Sequence, residues 1–159
     1  MLCLTKALLA FIALLVVILG FLVYQYLAIN TTSIPMPQTG VYLVKDGDLV
    51  EANLSKEPQQ KGIVLVVLLS TTCPHCRLFW PTVYDVAKEV SGQGVQTFIV
   101  IIDPSSPEKV RDVIVYYYKK KYWDGSVPSI IVFKDGSYVT TWVGRISRED
   151  LLKRIESIK

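Results

Sequence analysis

The sequence is poor in the residues from which metal and haem sites are built. It has three cysteines and one histidine in 159 residues, and two of these cysteines share residues 73–76 with the histidine. A structural zinc ion needs about four ligands, so this supply disfavours a zinc protein. A large excess of one charge is also absent. With 17 basic and 14 acidic residues, the net charge of +3 is too small to favour a nucleic-acid partner.

Charged residues are missing between Lys6 and Lys45, and residues 7–24 are all apolar or glycine. About 20 such residues in a helix cross a bilayer core of about 30 Å, so residues 1–29 are predicted to form one transmembrane signal-anchor helix. A cleaved signal peptide is the alternative, but its apolar region usually spans only about 7–15 residues. The positive-inside rule places the amino terminus in the cytoplasm and the rest of the chain outside it, at the cell membrane.

The rest of the chain is predicted to comprise a linker and one domain. Residues 30–40 are polar with two prolines, which is typical of an extended tether, and residues 41–159 have the length of one domain. Strands are predicted at 41–44, 49–50, 63–69, 95–102, 129–133 and 138–143. Helices are predicted from Cys76 to Gly92, from an N-cap at Ser106 towards Lys121, and from an N-cap at Ser147. This order predicts an α/β fold in which a mixed central sheet is flanked by helices.

The tetrapeptide Cys73-Pro74-His75-Cys76 follows a predicted buried strand and opens a predicted helix. Two cysteines at this spacing can close a small disulfide ring. The first thiol faces the unpaired N–H groups and the positive end of the helix dipole, which favour the thiolate, the form that attacks disulfides. Cys73 is therefore the predicted nucleophile, and Cys76 is predicted to resolve the mixed disulfide. A protonated His75 would favour the thiolate further, and Pro74 restricts the loop.

Three other roles for the tetrapeptide are weaker. A zinc site would need a carboxylate to complete it. Covalent haem requires a histidine directly after the second cysteine, and the residue there is Arg77. A disulfide that only cross-links the chain would close so short a loop that it would stabilise the fold by only about 2 kcal/mol.

Several further segments give the sequence a resemblance to the thioredoxin-fold thiol–disulfide oxidoreductases over residues 40–159. The matching segments are CPHC at 73–76, Pro81 where that family has a helix-kinking proline, SVPS at 126–129, FKDG at 133–136, and Val143-Gly144 before the last helix. The resemblance implies that Val127 pairs its backbone with an extended substrate, and that Pro128 follows a cis bond and faces Cys73. For this chemistry no metal or organic cofactor is expected, because the cysteine pair itself carries the electrons.

The resemblance also shows two departures. The central Pro-His dipeptide is that of the strongly oxidising periplasmic DsbA group, but the chain between Ile102 and Pro128 is too short for the helical insertion of that group. The family commonly has a buried carboxylate that accepts the proton of the second cysteine. Here that position is Val67, and the neighbouring strand offers Ile99. This departure weakens the expectation of efficient substrate reduction more than that of oxidation.

Together these features predict a membrane-tethered oxidoreductase that exchanges disulfides with extracytoplasmic protein thiols, mainly in the oxidising direction. The expected partners are protein thiol or disulfide substrates and a membrane redox partner that recycles the cysteine pair, and we expect a monomer. One alternative is a reductase that relays electrons from a membrane carrier, for example for cytochrome maturation. The other is a thioredoxin-like module that binds peptides without turnover.

Overall fold

The computed structural model describes residues 14–23, 34–54 and 57–159. The chain divides into two compact units, Met1–Pro35 and Met36–Lys159. In the first unit residues 14–23 are helical, and within the described ranges no helix is long and apolar enough to cross a bilayer. Most of the predicted transmembrane helix, residues 1–29, lies outside the described residues. The predicted helix and the predicted boundaries of the linker therefore stay predictions.

The second unit is an α/β fold built on one mixed sheet. Its described elements are, in chain order, β1 (Gly40–Lys45), β2 (Asp48–Glu51), β3 (Ile63–Ser70), α1 (Pro74–Ser91), β4 (Val95–Ile102), α2 (Glu108–Lys119), β5 (Ser129–Lys134), β6 (Ser137–Val143) and α3 (Arg148–Glu156). The strand order is β2-β1-β4-β3-β5-β6. Strands β3 and β4 are parallel, and every other neighbouring pair is antiparallel. The predicted mixed sheet with flanking helices is confirmed.

Strand β3 occupies the centre of this sheet because its side chains are apolar on both faces. Leu65, Val67 and Leu69 join a buried cluster with side chains of α1 and α3. Val64, Val66 and Leu68 join a second cluster with side chains of α2. Burial of apolar surface contributes about 25 cal/mol per Å², so a strand of this composition is most stable with a helical layer on each face.

The predicted start of helix α3 is confirmed. Ser147 is its N-cap, and the Ser147 side chain accepts a hydrogen bond from the backbone N–H of Asp150 at 3.1 Å. The Ser147 hydroxyl in turn donates to the Asp150 carboxylate at 2.8 Å. The capping pattern read from the sequence therefore forms the first turn of this helix.

The predicted N-cap at Ser106 is wrong. Helix α2 begins at Glu108 after Pro107, and no side chain caps it. The buried Ser106 hydroxyl instead accepts a hydrogen bond from Asp103 N at 2.9 Å and lies 3.0 Å from the Thr39 hydroxyl. The side chain is therefore used to hold the loop that follows β4, and it is not available to the helix.

The Ser147 cap gives a test of the fold. Replacing Ser147 with alanine should lower the free energy of unfolding by about 1 kcal/mol, because the first turn of α3 loses a hydrogen-bond acceptor. Ser137→Ala, at an exposed position at the start of β6, is the control and should change it by less than about 0.5 kcal/mol. Urea unfolding of the full chain, followed by tryptophan fluorescence, measures both values. Equal stabilities of the two variants would contradict the capping role.

Candidate active site

Cys73 lies where β3 leads into α1. Strand β3 ends at Ser70, and the next residue, Thr71, donates its backbone N–H to the carbonyl of Ile102 at the end of β4 at 3.0 Å. Cys73 has an extended backbone and is the N-cap of α1. Pro74 follows as the first helical residue, a position that suits its fixed φ and where no N–H is needed. The local sequence thus places a thiol at the positive end of a helix.

The Cys73 sulfur makes contacts on two sides. Its Sγ accepts a hydrogen bond from the backbone N–H of Cys76 at 3.4 Å, and its thiol donates to the carbonyl oxygen of Val127 at 3.7 Å. The first contact and the helix dipole both stabilise negative charge on this sulfur. The Cys73 side chain is half-buried, so the sulfur is held in place at a surface that a substrate can reach.

Cys76 lies behind Cys73 and is fully buried. Burial raises the pKa of the Cys76 thiol to about 12, the adjacent Cys73 thiol raises this pKa as well, and a backbone hydrogen bond from Ser70 acts in the opposite direction. Both cysteines are free thiols in this structure. The arrangement corresponds to the reduced state of the pair.

The residues beneath the cysteine pair are apolar, as the sequence indicates. Val67 and Ile99 are register partners across β3 and β4, and both belong to the buried cluster that contains Cys76. None of the carboxylates in the described ranges is buried. The Cys76 thiol therefore has no buried carboxylate in those ranges to accept its proton.

The cis bond implied by the family resemblance is confirmed between Val127 and Pro128. Beyond this bond, the carbonyl of Pro128 accepts a hydrogen bond from the backbone N–H of Gly144 at 2.8 Å. Gly144 has a φ of 89°, in the left-handed region that favours glycine. The turn after β6 thus holds the loop at Pro128.

Residues that the sequence analysis missed hold the first half of this loop. The carbonyl of Ser126 accepts hydrogen bonds from Trp123 Nε1 and from the Ser129 hydroxyl, both at 2.6 Å. The backbone N–H of Ser126 donates to the Asp124 carboxylate at 2.8 Å. An Asp-Gly-Ser turn pattern at 124–126 was the available signal, but it does not indicate that the tryptophan takes part.

Arg77 is a second residue whose role was missed. Its guanidinium donates two hydrogen bonds to the carbonyl of Thr71, at 2.8 and 3.1 Å, and so braces the loop before Cys73. His75 is exposed in the first turn of α1. Pro81 lies inside the same helix, as predicted.

All the predicted site residues therefore lie at the same end of the sheet, in two segments. One segment holds Cys73, Pro74, His75 and Cys76, the other holds Val127 and Pro128, and the contact between Cys73 Sγ and Val127 O joins them. Within the described ranges no group of three or more His, Cys, Asp or Glu side chains converges on a metal position. The arrangement can stabilise an attacking thiolate and provide a second thiol one helical turn away.

The different environments of the two cysteines predict different reactivities. In the reduced full chain carrying Cys3→Ser, iodoacetamide at about pH 7 should alkylate Cys73 and leave Cys76 unmodified, because only a thiolate reacts and burial raises the pKa of Cys76. Fragment masses of the peptide that contains both cysteines distinguish the two products. Denatured chain, in which both thiols should react, is the control. Equal modification of both cysteines in the folded chain would contradict this assignment.

Comparisons with known proteins agree with this geometry. A model of the Thioredoxin family matches residues 47–157, more than half of the chain. The chain is 32% identical to thioredoxin M4, chloroplastic, from Arabidopsis thaliana over 58% of its own length and 42% of that protein. It is 30% identical to thioredoxin from Staphylococcus saprophyticus over 61% of its own length and 83% of that protein.

A solved structure shows the same fold. Thioredoxin from Aeropyrum pernix superposes with a TM-score of 0.65 and 22% identity, over 77% of this chain and 97% of that one. At this identity the structural similarity establishes only the fold. The family is established by the family model and the curated relatives. The chain belongs to the thioredoxin family, whose members act on protein thiols and disulfides through a redox-active cysteine pair and without a cofactor.

Proposed function

We propose that the chain is a membrane-tethered protein thiol–disulfide oxidoreductase that acts outside the cytoplasm and mainly oxidises protein thiols. The observation that carries the proposal is the placement of Cys73. Its sulfur caps α1, accepts the Cys76 N–H, and lies 3.7 Å from the Val127 carbonyl oxygen, while Cys76 is buried behind it. A substrate can therefore reach one sulfur of the pair directly and the other only through the first.

The proposed oxidation takes place in two exchange steps. A substrate thiolate attacks Cys73 Sγ of the disulfide form, the Cys73–Cys76 bond breaks, and Cys76 leaves as a thiolate that takes up a proton. A second substrate thiolate then attacks the substrate sulfur of the mixed disulfide and releases Cys73 as a thiolate. Two electrons pass from the substrate to the cysteine pair, and the substrate gains a disulfide.

The oxidising direction is supported by the contacts of the reduced state. A group that stabilises the thiolate of the reduced pair makes the disulfide a stronger oxidant. The Cys73 sulfur accepts a hydrogen bond from the backbone N–H of Cys76 and lies at the positive end of the dipole of α1. Cys76 acts as a thiolate in both directions, as the leaving group in oxidation and as the attacking group in reduction, and its buried apolar surroundings raise its pKa to about 12. The raised pKa therefore slows this step in both directions, and the support for oxidation comes from the contacts of Cys73.

Reduction is the second candidate direction, because the curated relatives are thioredoxins and thioredoxin has a reduction potential of about −270 mV. In that case Cys73 attacks a substrate disulfide, and Cys76 releases the reduced substrate. A membrane carrier would then return two electrons to the cysteine pair. The reductase would thereby supply electrons to a process such as cytochrome maturation.

The proposed tether is supported by the amino-terminal sequence. Residues 7–24 are apolar or glycine, and Lys6 precedes them, which favours a single crossing with the amino terminus in the cytoplasm. The extracytoplasmic side is also where disulfides persist. We propose that the chain works there as a monomer and that a membrane redox partner recycles the cysteine pair.

The exchange reaction can be tested by trapping. In the Cys76→Ser variant the Cys73 thiolate should still attack substrate disulfides, but the mixed disulfides should accumulate because the resolving thiol is missing. Acid quenching of cells, followed by non-reducing electrophoresis, detects such adducts, and Cys73→Ser is the control that should form none. If the variant forms no mixed-disulfide adducts while a pull-down with the chain still recovers partner proteins, the chain is a binding module without turnover.

The direction can be tested by measuring the reduction potential of the full chain against glutathione. The reduction potential of DsbA is about −120 mV and that of thioredoxin is about −270 mV. We expect the potential of this chain to lie nearer that of DsbA. His75→Ala should shift the potential to a more negative value, because a protonated His75 would place a positive charge beside the Cys73 thiolate and alanine cannot. Leu78→Ala, at an exposed position of the same helix, is the matched control. A potential near that of thioredoxin would favour the reductase.

A further inference from the structure

An open groove of about 590 Å³ lies between the end of α2 and strand β6. Four of its nine described lining residues are aromatic, namely Tyr118, Tyr122, Trp123 and Tyr138. We call it the aromatic groove. Exposed aromatic side chains that line a concavity are typical of a binding surface, because each ring offers a large rigid apolar area at a low cost in conformational entropy.

The floor of the aromatic groove is preformed. The rings of Tyr122 and Tyr138 stack with their centroids 4.4 Å apart and an interplanar angle of 9°. The Thr141 hydroxyl donates to the carbonyl of Tyr122 at 2.5 Å, which fixes the loop to β6. By contrast, Tyr118 is 61% exposed and Val143 is 54% exposed. These two side chains still have apolar surface that a ligand can cover.

The aromatic groove is continuous with the loop that faces Cys73. Trp123, in its lining, donates to the carbonyl of Ser126, one residue before Val127. Val143, also in its lining, is the register partner of Ser129, the residue after Pro128. An extended peptide advances about 3.3 Å per residue. A substrate segment that binds beside Val127 therefore reaches the groove within a few residues of its reacting cysteine.

Charge and shape indicate what occupies the aromatic groove. Lys119 and Lys121 line it together with one acidic residue among the described lining residues, Asp124, whose carboxylate is held by a hydrogen bond from Ser126 N. Two positive charges against one negative charge leave the lining with a positive excess, so a negatively charged ligand is favoured. A bilayer surface offers negative charge as well, but it is flat, whereas a concave aromatic site encloses a protruding side chain.

We infer that the aromatic groove binds an aromatic or large apolar side chain, with an acidic residue beside it, of the substrate segment that flanks the reactive cysteine. The groove then selects among protein substrates, while Cys73 carries out the exchange. This inference rests on the proposed function and deepens it, because it states which substrate sequences react fastest.

Two synthetic peptides with one cysteine each test the inference on the oxidised full chain. One carries phenylalanine and glutamate about three to five residues from the cysteine, and the other carries serine and lysine at the same positions. The first should reduce the Cys73–Cys76 disulfide roughly tenfold faster, since burial of a ring and charge pairing both favour its encounter. Tyr118→Ala and Lys119→Glu should each reduce this preference to about twofold or less.

Matched controls separate the groove from the redox centre. Val115→Ala, at an exposed position of α2 outside the groove, and Lys61→Glu, also outside it, should keep the full preference. Glutathione, which is too small to span both sites, should react at the same rate with every variant. Equal rates for the two peptides with the parental chain, or a preference that survives Tyr118→Ala and Lys119→Glu, would overturn the inference while leaving the oxidoreductase intact.

Two other outcomes would also overturn it. If added phosphatidylglycerol vesicles abolish the peptide preference while phosphatidylcholine vesicles do not, the groove is a contact surface for an anionic bilayer. If neither the peptides nor glutathione exchange with the cysteine pair, the proposed function itself fails, and the substrate preference fails with it.

Discussion

The burial of β3 on both faces is the constraint from which the position of the site follows. The aliphatic run from Ile63 to Leu69 is buried at every residue, so helices must cover both sides of the sheet. The parallel register with β4 brings the ends of the two strands together, with Ser70 opposite Ile102. The chain has to leave the sheet at this edge and enter α1, and the first thiol after the strand therefore becomes the N-cap of that helix.

The same apolar interior determines the chemistry of the second thiol. Cys76 lies one helical turn into α1, where the helix packs on β3 and β4, and it shares a buried cluster with Val67 and Ile99. A charge placed there loses its hydration, and the backbone hydrogen bond from Ser70 does not compensate for that loss, so the neutral thiol is favoured. The two sulfurs of one short motif thus differ in reactivity because one is at a helix end and the other is in the core.

The sequence predicted those parts of the structure that depend on nearby residues. The aliphatic run of β3, the helical spacing after Cys76 and the Ser147 cap are local patterns, and each forms where it was expected. The expected cap at Ser106 failed because its hydroxyl binds Asp103 N and lies against Thr39, a residue distant in sequence. Local patterns cannot reveal such a competing partner.

The candidate site likewise combines features that local sequence predicts with features that it does not. The two cysteines and their helix follow from local sequence, whereas the cis bond before Pro128 was expected from family resemblance alone. The bonds from Arg77 to Thr71 and from Trp123 to Ser126 were not expected. These bonds depend on how two loops are arranged in space, and a side chain that can donate to many carbonyls gives no indication of which one it binds.

The loop that ends at the cis bond connects the reacting sulfur with the aromatic groove. Val127 packs against both buried clusters, the one that contains Cys76 and the one beneath α2. Its carbonyl contacts Cys73 Sγ, and the preceding carbonyl, of Ser126, is held by Trp123 from the aromatic groove. Under the inferred substrate binding, a ligand of the aromatic groove contacts the side chain that holds the backbone beside the reacting sulfur. Its binding energy would then contribute to the orientation of the substrate sulfur and Cys73 Sγ, which is the geometric requirement of the exchange step.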